Sequence, residues 1–222
     1  MWKSIIYKEW IKTRSIIAVI VCVFLGVGIY SFISINQNIR LVGIVGVWED
    51  TIQKDPVIFG YFQYLPLFAG ILLAIAQYIP ELQSKRLKLT LHLPLNENGI
   101  MMTMLLYGII VIALLLIVTI PVLLLGLSRS YPSEIVFSAL HQLVPWFFAG
   151  LAAYTITAWV CLDPQWKQRI FNIIPGLFFL SFFLLSAKSR AFCPFMPFLI
   201  VAIIVSFFFS FYSTARFKEG VQ

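Results

Sequence analysis

Six stretches of this chain contain no Asp, Glu, Lys or Arg: residues 16–35, 56–80, 99–127, 135–162, 170–187 and 191–215. Each is close to or above the roughly 20 residues an α-helix needs to cross about 30 Å of hydrocarbon. Backbone groups in lipid must be paired within their own segment, so helices are the default. The expected fold class is therefore an all-α integral membrane protein with six transmembrane helices in a single domain, residues 1–222. The stretch 170–187 is the shortest, which leaves a re-entrant hairpin of the fifth and sixth segments open. Composition supports the membrane reading, because 61% hydrophobic and 11% charged residues leave too little polar surface to coat a soluble core. Internal prolines at 66, 121, 145, 175 and 197 predict kinks.

Basic residues set the expected orientation. With the N-terminus inside, Lys3, Lys8, Lys12, Arg14, Lys85, Arg86, Lys88, Lys167, Arg169, Arg216 and Lys218 fall on the cytoplasmic side. Arg40, Lys54, Arg129, Lys188 and Arg190 fall outside. This bias follows the positive-inside rule, and an even number of spans leaves both termini cytoplasmic in a plasma (inner) membrane. The net charge of +7 is spread over short loops rather than gathered in a stripe, which argues for lipid headgroups and against nucleic acid as a partner. No small-x-small cleavage site follows the first apolar block, so no cleavable signal is expected. The outer segment 36–55, with Trp48, Glu49, Asp50 and Asp55, reads as a solvated connection in preference to a surface helix.

The absences narrow the chemistry. There is no phosphate loop, no HExxH and no GxSxG, and the two histidines, His92 and His141, are far apart in sequence. Cys22, Cys161 and Cys193 show no metal spacing and read as buried thiols. No catalytic residue, metal ligand or cofactor site is expected. The lack of charge in the spans also weakens a secondary-transporter reading, so energy for any transport must come from a partner.

Two inner features could receive that energy. In residues 1–14, Trp2, Ile6 and Trp10 recur at helical spacing with Ile5 beside them, and Lys8 and Lys12 form a displaced row. Rings at headgroup depth with lysines reaching water describe an interfacial helix. In the loop after the second span, Leu82, Arg86, Leu89 and Leu93 share a helical face and Pro94 ends it. A short helix with an apolar ridge and basic shoulders is shaped to dock into a groove of another protein. The Phe-rich stretch (Phe178, Phe179, Phe182, Phe183, Phe207, Phe208 and Phe209) reads as lipid-facing or helix-packing rather than as a cargo wall.

Glu81, Lys85, Arg86, Leu87, Leu89, Leu91, Leu93 and Pro94 stand in an order that resembles the coupling helix of type-2 ATP-binding-cassette permeases, the small six-span exporter class. The resemblance implies an N-terminal interfacial elbow helix (Trp2, Ile5, Ile6, Lys8, Trp10, Lys12) and a cytoplasmic coupling segment, 81–94, between spans two and three that includes Leu82. It departs at Lys85-Arg86-Leu87-Lys88, where family members often carry Gly-Thr before the leucines. It further implies separate ABC ATPase subunits that bind ATP and Mg, a second permease copy or paralogue, and no cofactor on this chain. A non-transport membrane scaffold or assembly factor is the alternative.

Overall fold

The computed structural model describes residues 2–54, 57–83, 97–163, 165–188, 191–192 and 194–218. The described residues form an all-helical bundle. The helices are α1 (Trp2–Lys54), α2 (Leu65–Gln83), α3 (Glu97–Leu127), α4 (Ser133–Leu162), α5 (Trp166–Phe182) and α6 (Met196–Lys218), with a 3-10 turn at Gly60–Phe62. Five helical segments among the described residues are long and apolar enough to span a membrane. These suggest a multi-pass membrane protein. The exception is α5, whose 17 residues reach about 26 Å, short of a full hydrocarbon crossing.

Side-chain contacts give the direction of each helix. Lys12 of α1 meets Glu81 at the end of α2. Gln77 of α2 bonds the Met104 carbonyl of α3, and Tyr154 of α4 reaches the same glutamine. Asp163, just past α4, contacts both Asn172 of α5 and Ser213 of α6. The start of α1 and the end of α6 therefore lie at one end of the bundle, with consecutive helices running up and down.

The hub is α4, which packs against α2, α3, α5 and α6. Its sequence explains why, because Ala139, Ala149, Gly150, Ala152, Ala153 and Ala158 are all buried and let neighbouring backbones approach. The closest approach is to α2. A Cβ on Gly70 would run into the Gly150 carbonyl oxygen, and one on Gly150 would stand 2.8 Å from the Pro66 carbonyl oxygen. Between these small residues stand Trp146 and Tyr154, both buried. Large apolar side chains such as Leu114, Val118, Leu125, Phe178 and Phe208 point outward, as a lipid-facing surface requires.

Several sequence boundaries move. The expected break between an elbow over 1–14 and the first span is absent, since α1 stays helical from Trp2 until Gly43, at φ 79° and ψ 161°. The outer segment is also helical, as the continuation of α1 to Lys54 rather than a solvated connection. The second span starts nine residues later than its charge-free block, at Leu65, and runs through Pro80 to Gln83. Pro66 and Pro197 occupy first turns of α2 and α6, where no helical N–H is needed, so they start helices rather than kink them. Pro121 and Pro145 lie inside α3 and α4, and Pro175 lies inside α5. Cys22 is exposed on α1 rather than buried, Cys161 is partly buried, and Cys193 lies outside the described residues.

The α2–α4 contact generates a test by thermal unfolding in detergent micelles. Gly70→Ala forces two backbones apart and is expected to destabilise by about 1–3 kcal/mol. Gly26→Ala meets nothing within 4 Å and is expected to be neutral or to gain up to about 1 kcal/mol.

Candidate functional site

The strongest concentration of polar groups sits at the bundle end shared by the start of α1 and the end of α2. Lys12 Nζ donates to Glu81 Oε1 at 2.9 Å and to the Gln77 carbonyl at 3.1 Å. It also lies 2.9 Å from Glu9 Oε1, one helical turn away, as an ion pair without hydrogen-bond alignment. Lys8 reaches the same Glu81 oxygen at 2.9 Å from a more exposed position. Glu9 and Glu81 are almost fully buried, and Glu9 Oε2 and Glu81 Oε2 have no hydrogen-bond partner. The cluster is formally neutral, with two carboxylates set against two ammonium groups.

Local structure places each member. Glu9 and Lys12 are three residues apart, so one face of α1 carries both. On α2, Gln77 and Glu81 are one turn apart and face α1. Pro80 lies between them and removes the helical donor of the Ala76 carbonyl, which loosens the turn that Lys12 grips.

From this ion cluster a neutral network runs deeper. Gln77 Nε2 donates to the Met104 carbonyl at 2.8 Å, and its Oε1 accepts from the Tyr154 hydroxyl at 2.8 Å. Tyr78 lies 3.2 Å from Tyr154, hydroxyl to hydroxyl. The Tyr154 ring crosses to α3 over Gly108, where any Cβ would collide with it. Thr13 donates to the Glu9 carbonyl at 2.9 Å and meets the Tyr107 hydroxyl at 2.7 Å. Four helices are thus tied through one set of buried polar groups.

A second polar knot holds α4, α5 and α6 at the same end. Asp163 Oδ1 accepts from the Gln165 amide at 3.2 Å, and Asp163 Oδ2 is approached by Asn172 at 3.4 Å and Ser213 at 3.5 Å. Arg169 Nε donates to the Asp163 carbonyl at 2.7 Å, closing the end of α4.

Trp2, Ile6 and Trp10 share an exposed face, as their spacing predicts, with the Trp2 ring against Gly99. Ile5 turns inward. Lys8 and Lys12 do not both reach water: they turn toward Glu81, and Lys12 keeps only 14% of its side chain exposed. Of the coupling residues, Glu81 is buried in the last turns of α2 and Leu82 is partly buried beside it. Lys85, Arg86, Leu87, Leu89, Leu91, Leu93 and Pro94 lie outside the described residues, as does His92. Sequence reasoning passed over Glu9, Gln77, Tyr107, Tyr154 and Asp163. The available signal was the Glu9/Lys12 pair at i, i+3 and a lone Glu81 closing an apolar block.

No protein-family model, curated protein or solved structure gives a significant match to this chain. The arrangement holds no nucleophile–base pair. Its chemical capacity is electrostatic, joining helix ends by ion pairs that can be exchanged.

Removing one partner tests that role. Lys12→Met leaves the buried Glu9 without its cation and Glu81 with Lys8 alone, and is expected to destabilise by about 3–5 kcal/mol in thermal unfolding. Adding Glu9→Gln and Glu81→Gln to it should restore most of the loss. Lys8→Met, at the half-exposed edge, should cost about 1 kcal/mol or less.

Proposed function

We propose that this chain is the membrane-spanning permease subunit of an ATP-binding-cassette exporter, forming the translocation pathway and driven by a separate ATPase. The observation that carries this reading is the Glu81 clamp. Glu81 opens the segment that resembles a coupling helix, and its carboxylate is held by Lys8 and Lys12 of the N-terminal helix.

The connection 84–96 joins α2 to α3, and both helices rest on the same network beside it. Gln77 and Glu81 serve it from α2, while the Met104 carbonyl serves it from α3. A force applied to that connection would therefore move α1, α2 and α3 as one body. Packed interfaces respond to such loads by rigid shifts rather than by continuous deformation. The division of labour fits a chain with no phosphate loop: ATP and Mg would sit on the partner ATPase, and a second permease copy or paralogue would complete the pathway.

Co-purification with an ATPase, followed by nucleotide hydrolysis in liposomes, tests the proposal. Leu89→Asp with Leu93→Asp should detach the ATPase while the chain still inserts. Glu81→Ala should leave the ATPase bound but lower its stimulation about tenfold, the size of an ordinary coupling free energy. Unchanged association and hydrolysis in both variants would favour a membrane scaffold instead.

A further inference from the structure

Two cavities that share lining residues lie along α1 and α3, the first reaching from Trp10, beside the ion cluster, to Phe32 and the second at the opposite end of the bundle. The first, about 450 Å³, runs along the two helices and is walled by side chains such as Val21, Leu25, Leu114 and Val118, with Phe24 and Leu73 behind them. Its one hydroxyl, on Thr119, is turned onto the Leu115 carbonyl at 2.7 Å, so the wall is apolar throughout. Leu114 and Val118 are exposed, which opens the groove sideways to lipid.

The second cavity, about 750 Å³, lies at the end of α3 and has a polar rim of Asn36, Ser128, Arg129 and Ser130. Phe32 and Val122 line both cavities, so the two adjoin at the Phe32 ring. That ring rests on Gly126, where a Cβ would collide with it. Neither cavity is lined by a carboxylate. Arg129 is exposed and makes no hydrogen bond or ion pair among the described residues.

An apolar trough that ends in a cationic, hydroxyl-rich pocket matches an amphiphile with an anionic head. Guanidinium suits phosphate because it offers several donors in a planar fork. Hydrocarbon suits the trough, because nothing along it can satisfy a polar group. We propose that the paired cavities between α1 and α3 hold one anionic phospholipid, its acyl chain in the groove and its phosphate at Arg129. The site requires no ATPase and is independent of the permease reading.

Native mass spectrometry of the full chain in neutral detergent tests this, with palmitoyl-oleoyl phosphatidylglycerol and phosphatidylcholine as matched probes. The first phosphatidylglycerol should bind on the order of tenfold tighter than phosphatidylcholine, whose phosphate is the same but whose choline cation is repelled by Arg129. Arg129→Ala should abolish that preference with thermal unfolding unchanged. Val118→Trp fills the groove and should remove first-site binding of both lipids; Leu114→Phe serves if that variant fails to insert. Glycerol 3-phosphate, which has the head without the tail, should not compete. Equal affinity for the two lipids, or a preference that survives Arg129→Ala, would overturn the proposal. So would competition by glycerol 3-phosphate, which indicates a free-anion site, or lipid binding untouched by a filled groove.

Discussion

An ammonium group held beside hydrocarbon governs how this bundle closes at one end. Lys12 has lost most of its water, and a cation so placed must be met by opposite charge or by acceptors. Its acceptors come from two helices, Glu9 on α1 and Glu81 with the Gln77 carbonyl on α2. Pairing therefore fixes how far apart α1 and α2 can stand. The same requirement propagates outward, since Gln77 is oriented by the Met104 carbonyl and by Tyr154. Tyr154 can reach across only because Gly108 has no side chain. A charge on the first helix thus explains a glycine on the third and a tyrosine on the fourth.

The remaining helices are fastened by weaker means. Thr155 and Ser206 meet at 2.7 Å between α4 and α6, and Asp163 gathers Asn172 and Ser213 near the helix ends. A hydroxyl contact such as Thr155–Ser206 within a membrane contributes about 0.6 kcal/mol on average. Buried charge pairs are far more sensitive to loss of a partner. The charge pairs join α1 to α2, so α4 itself is held on both sides by neutral contacts and close packing, through Tyr154 toward α2 and α3 and through Thr155 toward α6.

Membrane character was legible because it is written in uninterrupted length: charge-free blocks survive any uncertainty about neighbours. The small residues of α4 lie in the same uninterrupted block, but their role appears only where Gly70 and the Pro66 carbonyl of α2 meet Gly150. The direction of Lys12 was beyond local pattern. Helical spacing places Lys8 and Lys12 on one row, but whether that row meets water or a carboxylate depends on Glu81, which lies 69 residues beyond Lys12 in the chain. The helical form of residues 36–54 was hidden for a different reason. Its charges argue against lipid, yet nothing in it argues against a helix, and Gly43 is the sole departure. Proline positions misled where they sat in first turns, because a missing N–H matters only to a residue with a helical acceptor behind it.

The way the interior is filled constrains any transport role. Trp146, Tyr78, Tyr154, Phe59, Phe62 and Phe183 are fully buried and occupy the space between the helices from one end to the other. Moving cargo through that interior would mean displacing aromatic side chains from a packed core and losing the van der Waals contacts that hold helices together in lipid. A path along an outer face, or between two copies, avoids that cost. The ion cluster leaves that outer face unobstructed, because it ties α1 to α2 while an apolar groove runs between α1 and α3 from Trp10 to Phe32.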